Sequence, residues 1–165
     1  MTAERAPAWP HAVLAAGGGF LIAVLWFDLM FDVQVRGHVA APATLPEATL
    51  ASIAQYYRRV TTDAHPMQQL IGIVMVVTVL GAGWTLRRPG QRWLRRTALV
   101  SCAVPIGLAA VRVFPNAVRL GMRADSLAEQ SALARAIYAD HVRCLVAILV
   151  FTAVQIVLAA RRAPR

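Results

Sequence analysis

Lysine is missing from this chain of 165 residues: all 17 basic residues are arginine. A GC-rich coding sequence produces that bias by itself, so it selects no function. Charge of either sign is scarce, at 15% of residues against 58% hydrophobic, which excludes an ordinary soluble domain of this length. Acids are scarcest, eight in all, and the net charge is +9. A basic excess of that size would suit a nucleic-acid binder if the arginines were clustered. They are scattered among apolar runs of membrane length, so the lipid bilayer replaces nucleic acid as the expected partner. Cysteine is limited to Cys102 and Cys144, neither in a CxxC pair, which removes a zinc or redox signature. A short signal-peptide core is also missing, because the first apolar run is of full membrane length. There is no internal repeat and no low-complexity segment.

What is present is hydrophobic length. The runs Ala12–Phe31, Met67–Leu86, Thr97–Val111 (continuing past Arg112 toward Gly121) and Val142–Ala160 each approach about 20 residues, enough for a hydrocarbon core of ~30 Å. Backbone in lipid must satisfy its own hydrogen bonds, so these runs are expected to be helices. The fold class that follows is all-α, a single domain over residues 1–165: an integral membrane up-down four-helix bundle. Its spans fall at about 12–35, 66–87, 93–121 and 127–160.

Charge sets the expected orientation. The loop RRPGQRWLRR, residues 87–96, carries five arginines and no acid, and the tail RRAPR carries three. The positive-inside rule places both in the cytoplasm, so both termini are expected on the cytoplasmic side of the cell (inner) membrane. Seven of the eight acids fall on the opposite, outer side.

Two outer segments carry helix signals. Thr44-Leu-Pro-Glu47 has the pattern of a capping box, followed by Leu50, Ile53, Ala54, Tyr57 and Val60 at helical spacing. This predicts an outer amphipathic helix. Ser126-Leu-Ala-Glu129 is a second box, opening a long fourth helix free of Gly and Pro.

The segment WFDLMFDVQV, residues 26–35, then poses a problem: Asp28 and Asp32 close a membrane-length run one helical turn apart. A charge at membrane depth costs about 2.5–3.5 kcal/mol, so lipid exposure of both is disfavoured. In an up-down bundle the end of span one meets the end of span three and the start of span four. Those places hold Arg112, Asn116 and Arg119, and Asp140, His141 and Arg143. Arg112, Asn116 and Arg119, at i, i+4, i+7, share one helical face. The expected arrangement pairs Asp28 and Asp32 with Arg112 and Arg143, with His141 and Asn116 completing the network. These six residues are the candidate catalytic set.

Bland explanations stand beside that one. Buried ion pairs can fix helix register without chemistry. Tyr56 and Tyr57 fit interfacial aromatics, as do Trp9, Trp84 and Trp93. His65 before Pro66 fits a turn, Pro105 a kink, and Gly17-Gly18-Gly19 with Gly81-x-Gly83 close helix packing. Asp28, Asp32, His65 and His141 have the donor chemistry for iron, manganese or zinc, but their spacing matches no metal box and nearby arginines oppose a cation. No metal site is expected, and the sequence names no cofactor. Thr78, Ser101, Thr152 and Gln155 are the few polar residues deeper in the spans, which predicts a dry inner half and disfavours an ion path.

The segments RVFPNAVRLG, residues 112–121, and YADHVRCLV, residues 138–146, resemble the anthrone-oxygenase-like family of small four-helix membrane proteins. The matching positions are Pro115, Asn116, His141 and Arg143. The resemblance implies a cofactorless oxidation of a hydrophobic aromatic substrate reached from the membrane. Two functions therefore remain open. One is a membrane protein with a buried polar pocket in the outer half that binds or oxidises a hydrophobic small molecule. The other is a structural or accessory subunit, working with a membrane protein partner or as a homo-oligomer, whose ion pairs fix register.

Overall fold

The computed structural model describes residues 7–38 and 44–161, and every element among them is helical. The tail arginines Arg162 and Arg165, used above for orientation, lie outside the described residues. Helix α1 spans Trp9–Asp32 and tightens into a 3-10 segment, Val33–His38. Helix α2 covers Glu47–Arg58 and widens into a π turn, Arg59–Asp63. Helix α3 runs His65–Thr85 and α4 runs Arg92–Leu108. A second π turn, Ala109–Val113, joins α4 to α5, Phe114–Met122. Helix α6 is unbroken over Leu127–Ala160.

Prolines and caps set most of these boundaries. Pro10, Pro66 and Pro115 sit in the first turns of α1, α3 and α5, where a missing N–H costs least. Ser126 accepts a hydrogen bond from the Glu129 amide, and the Glu129 carboxylate accepts from the Ser126 amide, so the expected box opens α6. The other expected box does not form. Pro46, at φ −56° and ψ 142°, is the residue before α2 and makes no side-chain cap. Its extended backbone starts the helix at Glu47 and leaves Thr44 two residues too early to cap it. Gly90 and Gln91 both adopt positive φ in the short turn from α3 to α4.

The third expected span is interrupted once. The chain stays α-helical through Pro105 and departs from α geometry only at Ala109–Val113. Pro115 supplies the reason: its ring conflicts with the carbonyl four residues back, and a wider turn ahead of it relieves the clash.

Helix α1 packs along α6, α4 packs along another side of α6, and α3 contacts both α1 and α4. One apolar cluster lies among these helices, around Leu14, Leu21, Ala98, Ile148 and Phe151. A second joins α2 to α5 and the start of α6, through Leu50, Ile53, Tyr57, Leu120 and Ile137. Helix α2 therefore buries the face its sequence periodicity predicted. Gly17 faces the Thr78 hydroxyl, Gly18 faces Thr152 and Phe151, and Gly81 faces Leu14, whereas Gly19 and Gly83 face open space.

Four helical stretches, Trp9–Gly37, His65–Thr85, Arg92–Met122 and Leu127–Ala160, are long and apolar enough to cross a membrane. Their outward faces are as apolar as their packed ones: Trp26, Ile73, Leu80, Val104 and Val146 are all more than half exposed. Only 11% of the apolar window of α3 is buried. A surface of this kind fits a membrane protein.

Candidate functional site

The aspartates of α1 are answered by tyrosines and a histidine. Tyr56 and Tyr57 end the buried face of α2, which lies across the end of α1 and the N-terminal half of α6. The Tyr56 hydroxyl donates to Asp28 Oδ1 at 2.6 Å, and the Tyr57 hydroxyl donates to Asp32 Oδ1 at 2.5 Å. His141, from α6, stands between the two carboxylates. Its Nδ1 is 2.6 Å from Asp32 Oδ2, and its Nε2 is 3.7 Å from Asp28 Oδ2. Asp32 is fully buried and His141 is 4% exposed. Phe31 stacks on Tyr56 with ring centroids 4.0 Å apart, and Tyr56 meets Tyr57 edge-on at 5.3 Å.

Three of the four carboxylate oxygens are thus within hydrogen-bond distance of Tyr56, Tyr57 or His141, and the fourth, Asp28 Oδ2, faces His141 Nε2 at 3.7 Å. A buried charge persists only on those terms. The arrangement favours a proton on His141 Nδ1, aimed at Asp32, which leaves Nε2 turned toward Asp28. Tyr56 and Tyr57 lie outside the four long spans. Burial pushes both phenols above their usual value, and the adjacent aspartates push in the same direction, so both stay protonated donors.

The expected pairing of Asp28 and Asp32 with arginines is not found. Arg112 and Arg143 instead converge on Asp140, one residue before His141. Arg143 Nη1 donates to Asp140 Oδ1 at 2.6 Å, and Arg112 Nη2 lies 3.2 Å from Asp140 Oδ2 without hydrogen-bond geometry. Asp140 is fully buried, whereas the two arginine side chains are 53% and 65% exposed. The nearer Asp140 takes both guanidinium groups, and Asp28 and Asp32 are occupied by Tyr56, Tyr57 and His141. Asn116 is half-buried and makes no hydrogen bond to the cluster among the described residues, so it does not complete the network as expected. Arg119 turns the other way, donating to Asp125 at 2.7 and 2.8 Å.

His65 is exposed at the start of α3. Among the described residues, no three His, Cys, Asp or Glu side chains are grouped so as to hold a metal ion. Both cysteines are buried and free, and the Cys144 thiol points at the Pro105 carbonyl, 3.6 Å away.

Sequence reasoning missed a second polar layer at the other end of the helices, where a dry interior was expected. His11 Nδ1 and Gln155 Oε1 are 2.8 Å apart, and both residues are fully buried. Arg95 is 1% exposed and donates to the Arg88 carbonyl. About 16 Å of helix, with Cys144, Ile148 and Phe151 buried along it, separates His141 from Thr152, so the two polar layers are not continuous.

Two cavities lie away from the Asp–Tyr–His cluster. One, of about 260 Å³, lies between α2 and α5 and is lined by Gln55, Arg58, Gly121 and Arg123. Another, of about 470 Å³, is a shallow groove on α3 beside Gln69, Gly72 and Val76. The sequence matches no protein-family model, no curated protein and no solved structure.

Proposed function

We propose that this chain is an up-down four-helix integral membrane protein of the inner membrane, with both termini cytoplasmic and α2 capping the outer end. Its Asp28–Asp32–His141 network with Tyr56 and Tyr57 is a structural clasp. It holds α2 onto the membrane helices and fixes the register of α1 against α6. The carrying observation is saturation: Asp32 is bonded at both oxygens, to Tyr57 at 2.5 Å and to His141 at 2.6 Å. Such a clasp suits an accessory subunit. The exposed α3 face, where Gln69 ends an apolar groove, offers a partner helix both packing and an amide hydrogen bond. The inward orientation is supported by the five arginines between residues 87 and 96.

The test is the thermal stability of the detergent-solubilised chain with Tyr57→Phe, Asp32→Asn and His141→Ala. A clasp predicts that each lowers the melting temperature. Unchanged melting in all three would refute it.

A second reading is binding or oxidation of a hydrophobic aromatic molecule, and one observation favours it. His141 Nε2, 3.7 Å from Asp28, makes no hydrogen bond among the described residues, so it retains a valence for a substrate proton. Oxygen uptake with an anthrone substrate, lost in His141→Gln while melting is unchanged, would move the assignment to this reading.

A further inference from the structure

We infer that Arg112 and Arg143 form a binding site for the phosphate of an anionic phospholipid headgroup, on the seam between the end of the third span and α6. The inference rests on the membrane reading above and goes beyond it. Three observations carry it.

The first is charge. Two guanidinium groups share one fully buried carboxylate, Asp140, leaving a net positive charge. Each guanidinium has five N–H donors. Arg143 spends one in a hydrogen bond to Asp140, and Arg112 makes only a 3.2 Å ion contact. With side-chain exposures of 53% and 65%, both groups remain accessible from outside the protein. The other acids at this end do not pair with them: Asp28 and Asp32 are taken by tyrosines and His141, Asp125 and Glu129 by Arg119 and Glu47 by Arg123, and Asp63 makes no ion pair with either arginine among the described residues.

The second is depth. Arg143 and Arg161 are separated along α6 by about 27 Å, and Arg112 and Arg96 along the third span by about 24 Å. Both intervals approach the ~30 Å hydrocarbon thickness. The fork therefore stands near one hydrocarbon edge, from which long arginine side chains reach the headgroup layer, with the arginines of the 87–96 loop and Arg161 at the other.

The third is the surface below. Val146 and Val150 lie one and two turns deeper on α6, on the side of Arg143, and both are exposed. They give an acyl chain an apolar track beneath the charged fork. Planar guanidinium groups bind phosphate oxygens through paired N–H donors, so the headgroup chemistry matches as well.

The test is native mass spectrometry of the delipidated chain in detergent, titrated with phosphatidylglycerol or phosphatidylcholine. Wild type should retain phosphatidylglycerol over phosphatidylcholine by about five-fold or more. Arg112→Gln/Arg143→Gln should bring that ratio near one. Should that variant fold poorly, Arg112→Lys/Arg143→Lys keeps the charge without the paired donors and should give an intermediate ratio. Equal retention of both lipids by wild type, or an unchanged preference in the Gln variant, would overturn the inference. Displacement of phosphatidylglycerol by inorganic phosphate at millimolar concentration would show a general anion site and overturn the lipid assignment. Extraction of membranes with alkaline carbonate separates the two proposals. A chain released into the supernatant fails the membrane reading and this inference with it, whereas a chain that stays in the pellet with no lipid preference fails this inference alone.

Discussion

His141 stands between two carboxylates of one helix, with Nδ1 2.6 Å from Asp32 and Nε2 3.7 Å from Asp28. Residues 28 and 32 are one helical turn apart, so a single imidazole from α6 can address both. The tyrosines of α2 close the remaining sides. Three helices are thereby tied at one point, and the cost of separating them is the cost of leaving buried carboxylates without partners.

That cost can be measured at Tyr57. Tyr57→Phe removes the donor to Asp32 Oδ1 while leaving the ring in the apolar cluster of α2, α5 and α6. A buried acceptor stripped of its partner costs about 1–3 kcal/mol. The double-mutant cycle with Asp32→Asn should show coupling of about 0.5–3 kcal/mol. Additive losses would mean that the hydroxyl and the carboxylate do not act on each other.

Alkaline pH should loosen the same contact. Tyr56 and Tyr57 titrate above the usual tyrosine value because burial and then the Asp28 and Asp32 charges disfavour the phenolate. Between about pH 10 and their raised folded values, the unfolded chain has released protons that the folded chain retains. Stability from these groups is complete below about pH 10 and falls as pH rises beyond it. The chain has no lysine, which removes the usual competing titration in this range. Melting curves of wild type should decline more steeply above pH 10 than those of Tyr56→Phe/Tyr57→Phe, and parallel declines would contradict the protonated-donor role.

Asp140 should behave differently from its arginines. Removing one of Arg112 and Arg143 leaves the buried carboxylate a partner and should cost little, since both guanidinium groups are largely exposed. Removing both strands the charge, and breaking a buried pair costs about 3–5 kcal/mol. The double variant should therefore lose more than the sum of the singles in thermal unfolding. A simple sum would show that the carboxylate is not held by the pair.

The sequence made the long elements legible and the pairing inside the cluster only partly so. Membrane length fixes a helix independently of its partners, so the segment expected at 127–160 forms Leu127–Ala160, and Ser126 caps it as read. Asp28, Asp32 and His141 converge because the ends of apolar runs gather by side. The arginines were misassigned because Asp140, read only as a neighbour of His141, is the carboxylate within reach of both and takes them before Asp28 or Asp32 can. Tyr56 and Tyr57 were passed over because an aromatic at a membrane border has a general explanation, and only the fold of α2 across α1 reveals the specific one. His11 and Gln155 lie 144 positions apart, and no local pattern joins them.

Helix packing below the clasp offers a test that avoids polar groups altogether. Gly18 and Gly19 are adjacent in α1, yet a methyl group on Gly18 would stand 2.3 Å from the Thr152 hydroxyl and 3.1 Å from Phe151, whereas one on Gly19 would meet nothing within 4 Å. Thr152 can turn, but Phe151 is fully buried in the core that α1 shares with α6 and has no free direction to move. Overpacking of this kind typically costs about 1–3 kcal/mol. Gly19→Ala, by contrast, replaces the poorest non-proline helix former with the best at an open position, worth about 1 kcal/mol in favour of the helix. The two substitutions should therefore shift the melting temperature in opposite directions, and equal effects from both would show that α1 does not approach α6 along the Gly18 face.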